Sequence, residues 1–599
     1  MWMQWVGYLD GQNGLLSYCE DRMGSLKFVN AYKQRDGGVG MNWCDLIHLR
    51  AGASRDCPYD YVLVPMATPQ GFNDLCHEYA MWARNQNWMA SAHDKLIARP
   101  QLKQVIEQGI VKVPSFGALS YSPTEWKPVR KFLPLDEKKK LEGNPRSFQR
   151  ILDDIRRTDQ MYGIHPAIRH DGWCDRFDSN YPYLLPVHEK LGGDEAFVRY
   201  LSENNSEQRT IIFHLNPVQF DTENSQFKPH QVARTLDQRM YTSNWSGNRL
   251  ALVSPAMVIG ENMPVLEQLK AWGSKGIFWD VIGAVSPRID FNPNAHYPYY
   301  DGAQFTQALL GLFTALREKT PKMIFGTEDG QEMMLPYFDF APSYHAYGDD
   351  ETVTWAPLNE LVYGDAFFNM VGIDGNNRTY EDRGRMTKRL FGSIQGHDLR
   401  SAWVKQYDPV VQQEFELNPV LSVVQTQRMI RHDIDPAGWR ASYWPNAVVI
   451  GNATSEKPLD VTIARTPLGP IKVTGLRRYG FVIVNDRGEF ACWGAKSLTC
   501  DGQLLVEVNN PDSIIINNQR ALTLATYGFF HPKKQPDAKA DLNDWQICIP
   551  GMTNVMKNGF EAWPSRQSII KTKAVDEHIF TLDAPGQQTW RIMKDTISK

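Results

Sequence analysis

KGIFWDVIGAVSPRIDFNPNAHYPYYDGAQFTQALLGLFTALREKTPKMIFGTEDGQEMMLPY, residues 275–337, spells out one β-loop-α-β unit. A short apolar run, Gly276–Trp279, ends on a carboxylate, Asp280. A long polar and aromatic loop follows, then an apolar helix over Gly302–Glu318, then a second apolar run, Lys322–Thr327, that ends on Glu328. Burial of both sheet faces accounts for the continuous hydrophobics of each run. It does not account for an acid at the end of each. Consecutive parallel strands of a barrel or open α/β sheet expose their C-terminal ends on one face. Asp280 and Glu328, 328 − 280 = 48 residues apart, can therefore share a cleft. Two carboxylates across a cleft are what glycoside hydrolysis requires, one as nucleophile or base and one as proton donor. The competing reading makes each acid a cap or loop anchor.

Working outward, the alternation of strand and helix is steady from about Phe148. A helix is expected at Phe148–Met161 and strands at Ile164–Arg169, Thr210–Leu215, Arg249–Ser254, Gly276–Trp279 and Lys322–Thr327. Later candidates are Ser343–Tyr347, a strand within Arg389–Ile394, and a closing strand before a helix at Pro419–Ile430. Such repetition is the signature of parallel α/β architecture, here a (β/α)8 TIM barrel. Before it, residues 1–70 read as antiparallel β-structure, with short apolar runs broken by DGQNG and DRMG, the edge of a β-sandwich. After about Asp435, runs such as WPNAVVIGNAT, YGFVIVND and SIIINN at sandwich spacing read as an all-β domain. The expected organisation is an N-terminal β-sandwich portion at 1–70, a catalytic barrel with leading helices and an insertion at 71–435, and a C-terminal β-sandwich at 436–599. The charge run KFLPLDEKKKLEGNPR within the insertion reads as a solvated face.

With 599 residues, one barrel plus smaller domains is the natural division. A net charge of −4 and no long basic block argue against nucleic acid or an anionic membrane as partner. No apolar run approaches the roughly 18 residues needed to span a bilayer. Met1–Ser25 lacks a basic start followed by an apolar core, so a cytoplasmic location is expected, although strand-like sequence almost at Met1 leaves room for an upstream segment. The eight cysteines form no CxxC, which suggests neither a zinc site nor a disulfide framework. Aromatic residues reach 12%, with 18 Trp, and suit both sugar-stacking surfaces and large β-rich cores. Nothing sets an oligomeric state.

Polar and aromatic groups also follow the earlier strands. RHDGWCDRFDSNYPYLLP offers His170, Asp171, Trp173 and Asp178, and NPVQFD offers Asn216 and Asp221. The loop NPNAHYPYYDG adds His296 and Tyr300, and Glu332 follows Glu328 by one turn. Farther on lie HAYGDD (His345 to Asp350), without the histidine spacing of a zinc site, and GHDL with His397 and Asp398. Taken singly, each has a plain structural reading as turn former or loop packing.

FWDVIGA, NPNAHYPYYDG and GTEDGQEMMLPYFD together resemble the DUF6259-type glycoside hydrolases, which in turn are similar to the endo-α-N-acetylgalactosaminidase families. MQWVGYLDGQNGLLSYCED, RHDGWCDRFDSNYPYLLP, HLNPVQFD and SYHAYGDD extend the match loosely over most of residues 1–450. The resemblance implies that Asp280, after the fourth barrel strand, is the nucleophile and Glu328, after the fifth, the acid/base. It also implies retaining hydrolysis of an α-linked glycoside in an oligosaccharide or glycoconjugate. His170, Trp173, Asp178, Asn216, Asp221, His296, Tyr300 and Glu332 are the expected substrate-binding residues. No metal or organic cofactor is required. The alternatives are a non-catalytic carbohydrate-binding protein on the same scaffold, an inverting hydrolase, or a transglycosylase.

Overall fold

Strands of four or five residues, buried on both faces, carry the parallel architecture. They are β1 (Ile110–Pro114), β2 (Ala167–Asp171), β3 (Ile211–Leu215), β4 (Gly276–Trp279), β5 (Ile324–Thr327), the shorter β6 (Phe340–Pro342), β7 (Phe368–Val371) and β8 (Ile394–Gln395). A computed structural model of the chain describes residues 3–33, 39–45, 47–48, 59–117, 129–141, 143–295, 300–342, 356–372, 382–398, 409–508, 513–518, 521–526, 545–548, 572–576, 579–582 and 589–593. The chain divides into two compact units, Met1–Gln101 with Lys112–Ile155 and Ala167–Ala341, and Leu102–Val111 with Arg156–Pro166 and Pro342–Lys599.

In the first unit β2, β3, β4, β5 and β6 are successive parallel neighbours, and β1 lies beside β2. Helices α1 (Phe148–Tyr162), α2 (Gly193–Ser206), α3 (Ile259–Ala271) and α4 (Gly302–Lys319) precede β2, β3, β4 and β5 in turn. Helical periodicity places their apolar residues on one face. Phe148, Ile151, Leu152 and Ile155 of α1 are buried together, as are Phe305, Leu309, Leu312, Phe313 and Leu316 of α4. Strand periodicity then sorts the sheet residues. Phe213 and Trp279 face the helix layer, Phe213 against Phe197 and Trp279 against Phe313. The alternate residues His214 and Phe278 share the other face, with Arg169 seated over the Phe278 ring at 3.7 Å. Gly326 lies so close to the Phe340 ring that a Cβ there would meet it at 2.3 Å.

The stretch expected as a barrel strand at Arg249–Ser254 has a different place. Asn248–Leu252 is the middle strand of a small antiparallel sheet, between Gln219–Asp221 and Thr242–Trp245. A central meander strand is as buried as a barrel strand, so its apolar run carries no sign of direction. The first barrel strand is instead IVKVP, β1, whose Lys112 turns toward Asp171 at 3.0 Å. Antiparallel pairing near the N-terminus is present, as Trp5–Asp10, Asn13–Cys19 and Tyr61–Ala67. Within the charge run, Leu135–Leu141 is helical and Lys138 is buried against Glu223 and Asn248, not solvated.

The second unit holds the parallel pair β7–β8 and two antiparallel sheets. An eight-stranded sheet begins at Arg431–Ile434 and a seven-stranded one at Leu459–Ile463. Ile450, Val484 and Ile515 of the first meet Val473, Leu498 and Val506 of the second in one core, which makes a β-sandwich. The expected helix Pro419–Ile430 starts and stops earlier: Pro409–Leu421 is α-helical and Ser422–Thr426 a 3-10 turn. Residues 382–390 are helical, and the strand sought there begins at Ile394. Ser343–Tyr347 lies outside the described residues.

Inside this unit Glu414 is fully buried against Arg385 (2.7 Å), Lys388 (2.8 Å) and Arg389, with Arg385 also over the Trp493 ring at 4.4 Å. Removing the carboxylate leaves three cations desolvated without it. Glu414→Ala is expected to destabilise the fold by ~3–5 kcal/mol, read as a lower denaturant midpoint at unchanged slope.

Candidate active site

β4 and β5 are adjacent and parallel with Trp279 opposite Thr327. Asp280 and Glu328 are thus the next residue on each strand, leaving the sheet side by side at its C-terminal edge. Each acid is followed by a left-handed residue, Val281 at φ 66° and Asp329 at φ 56°. For β-branched Val281 this conformation is strongly disfavoured, and such strain persists only where neighbours over-determine it. Those neighbours are visible. The Val281 carbonyl accepts from the Ala284 and Val285 N–H groups, Gly283 donates to Thr327 Oγ1 at 3.1 Å, and Gln331 donates to the Val285 carbonyl at 2.9 Å. A Cβ on Gly283 would meet the Glu328 carbonyl oxygen at 2.4 Å, so only glycine lets the two acid-bearing loops approach this closely.

Asp280 and Glu328 are both half-buried. Asp280 faces His214 of β3, whose Nε2 stands 3.2 Å from Asp280 Oδ2. The Asp280 N–H continues the strand ladder to the Leu215 carbonyl at 2.8 Å. Asp178, on the loop after β2, joins them, and carboxylate and imidazole atoms of the three residues come within 4.8 Å of one another. Among the described residues this is the single His, Cys, Asp and Glu grouping compact enough to hold a cation. Asp178 itself adopts φ 65°, its Oδ2 accepts from Ser246 at 3.2 Å, and its carbonyl accepts from Asn248. The antiparallel excursion that holds Ser246 and Asn248 is therefore the buttress of Asp178.

Burial pushes the Asp178 carboxyl up to about 7, with the Asp280 charge adding to it and His214 and the Ser246 bond opposing it. A carboxyl so raised keeps a proton that the unfolded chain has released, so it costs stability as pH rises from about 4 to 7 and nothing more above that. Asp178→Asn removes this dependence. Its unfolding free energy relative to the wild type should climb by up to ~1.4 kcal/mol per pH unit across that window and then level off. A difference flat with pH in denaturant melts would mean that Asp178 is ionised throughout.

The other expected binding residues with described side chains take other positions. His170 sits on the β2 face opposite Arg169 and Asp171, fully buried among Phe148, Tyr200 and Phe213, with Nε2 2.7 Å from Ser115 Oγ. Burial lowers it to about 3, which keeps it neutral. Trp173 is also buried, packed on Phe197 and Phe213, and its indole donates to the His214 carbonyl at 2.9 Å. Asn216 closes a turn by accepting from the Val218 and Gln219 N–H groups. Asp221 accepts from the Asn180 and Glu223 N–H groups and so ties down the loop carrying Asp178. Glu332 is buried and accepts from the Tyr79 hydroxyl at 2.8 Å. Tyr300 pairs through its backbone with His48, while His296 and the HAYGDD stretch lie outside the described residues. His397, in the second unit, is buried against the Phe415 ring at 4.2 Å.

Among the expected substrate-binding residues whose side chains are described, Asp178 is the one the structure brings to Asp280, and His214 is the member the residue pattern did not single out. Its signal was a lone imidazole near the C-terminal end of IIFHL, the same anomaly that marks Asp280 at the end of GIFW.

A family model described as "Domain of unknown function (DUF6259)" matches residues 57–373, more than half of the 599 residues. The chain belongs to the DUF6259 family. No curated protein matches it. Among solved structures, it is similar to the α-N-acetylgalactosaminidase NagBb from Bifidobacterium bifidum in its GalNAc complex. That likeness has a TM-score of 0.61 and 15% identity, covering 75% of this chain and 72% of that one. The ligand-free form of the same protein gives a TM-score of 0.59 and 16% identity, covering 75% and 73%. At this identity the likeness shows the fold, a (β/α)8 barrel accompanied by β-sandwich structure. No described helix is long and apolar enough to cross a membrane.

Proposed function

We propose that this protein hydrolyses an α-linked glycoside with retention of configuration, Asp280 acting as nucleophile and Glu328 as acid/base. The observation that carries the proposal is the shared register of the two acids, which follow paired residues of neighbouring parallel strands at the edge where such folds collect their chemistry. In the first step Asp280 forms a bond to the anomeric carbon while the glycosidic C–O bond breaks, and its electron pair takes a proton from Glu328. In the second, Glu328 as base removes a proton from water, whose oxygen displaces Asp280 from the opposite face. Asp280 Oδ2 lies 3.2 Å from His214 Nε2, so one carboxylate oxygen has a neighbour in the protein while the other is the one available to attack.

Membership in the DUF6259 family and the fold shared with an α-N-acetylgalactosaminidase make N-acetylgalactosamine the first sugar to test. The test is a screen of aryl α-glycosides of N-acetylgalactosamine, galactose and glucose, with the first-formed anomer read by proton NMR. Release of the α-hemiacetal is expected. A β-hemiacetal would support the inverting alternative, and sugar binding without turnover of any α-glycoside would support the non-catalytic one.

A further inference from the structure

We propose that His214 is the positioning residue of Asp280: the Tyr181 hydroxyl at Nδ1 fixes the ring with Nε2–H toward Asp280 Oδ2, which ties down one carboxylate oxygen and leaves Oδ1 to attack. The role in turnover rests on the function proposed above; the geometry stands apart from it. His214 is 2% exposed and restrained on every side. Its ring lies 4.5 Å from that of Phe177 and stacks on Phe278 at 6.1 Å, and its carbonyl is held by the Trp173 indole at 2.9 Å. Its Nδ1 is hydrogen-bonded to Tyr181 Oη at 3.0 Å, while Nε2, which has no hydrogen-bond partner among the described residues, lies 3.2 Å from Asp280 Oδ2 as a charge contact.

The tautomer follows from what the partners can do. A carboxylate only accepts, so the nitrogen facing Asp280 must carry the proton. In the neutral ring Nδ1 is then bare and accepts from Tyr181. Burial holds the Tyr181 phenol well above its ordinary range, so it stays a donor. When Oδ1 bonds to the anomeric carbon, Oδ2 becomes the carbonyl oxygen of the ester and stays beside Nε2–H. When water displaces the sugar, negative charge returns to the carboxylate and the attraction of Nε2–H for Oδ2 strengthens. His214 thus orients the nucleophile and stabilises it as a leaving group without touching substrate.

Two readouts test this on the full chain. With nitrogen-15 confined to histidine, long-range proton–nitrogen spectra should contain one imidazole with protonated Nε2 and bare Nδ1 that disappears in His214→Gln. In Tyr181→Phe the same signal should move toward a mixture of ring forms. A protonated Nδ1 with bare Nε2 at His214, or a signal indifferent to Tyr181→Phe, would overturn the assignment, and neither result depends on turnover. On the α-glycoside that the wild type cleaves, His214→Leu should lower kcat roughly 100-fold at nearly unchanged KM. His214→Gln, which keeps an N–H donor, should recover roughly a tenth or more of wild-type kcat. Equal stability of the two variants with Leu as active as Gln, or more so, would reduce His214 to packing. If no α-glycoside is cleaved, the proposed function fails while the spectra still decide the geometry.

Discussion

Asp280→Asn should abolish turnover, by at least roughly 10⁴-fold in kcat, while leaving sugar binding nearly intact. The amide matches the carboxylate in shape and can keep its oxygen at the same approach to His214 Nε2. What it lacks is a charged oxygen able to form the glycosyl ester. Shortening the side chain makes the role visible in the product. In Asp280→Ala the space opposite the leaving group can admit azide, which attacks the α-glycoside directly and gives the β-glycosyl azide. Full activity in Asp280→Asn would require another nucleophile. Asp178 is the nearest candidate by position, but it is buried and its carboxyl is held largely protonated below about pH 7.

Glu328→Ala should divide substrates by leaving group. Poor leaving groups need the proton that Glu328 supplies, so their kcat/KM should fall roughly 10²- to 10⁴-fold. Very acidic phenols depart without it, so their kcat/KM should change little. Their kcat should still fall, because the second step has lost its base and the glycosyl-enzyme accumulates, which also lowers KM. Azide needs no base and should restore kcat for these substrates. It attacks from the face that Asp280 does not occupy and so yields the α-glycosyl azide. The two variants then give opposite anomers from one substrate. Equal losses for every leaving group would move the proton donor to another residue, with Asp329 and Glu332 the adjacent acids. Glu332, already bonded to Tyr79, is the weaker candidate.

The segment from Gly276 to Glu328 is legible in the sequence because its two apolar runs are short, bounded, and closed by residues that burial disfavours. The observed strands end at Trp279 and Thr327, where the apolar runs stop. Counting strands is harder. Lys112 interrupts β1, and its pairing with Asp171 across the barrel interior helps make a lysine tolerable there. Asn248–Leu252 looks like a barrel strand because a meander centre is buried in the same way. The two differences cancel, so β4 remains fourth. Facing is harder still. His170 and His214 are both histidines near strand ends, but register puts His170 level with Phe213 and hence against the helices, while His214 lies level with Phe278 on the Asp280 side. A shift of one residue reverses these assignments, and sequence without register does not fix it. The loops are the least legible part, since Asp178, Asn216 and Asp221 take their roles from left-handed residues and backbone partners that composition only hints at.

Covalent trapping is the most direct test of the proposed mechanism. The full chain would be incubated with the 5-fluoro glycosyl fluoride of whichever sugar it releases from aryl α-glycosides, then digested and mapped by mass spectrometry. One sugar per chain is expected, attached to the peptide bearing Asp280 and lost on reactivation with excess acceptor. A label on Asp178 or Glu328, or steady hydrolysis to the β-anomer with no labelled peptide, would contradict it.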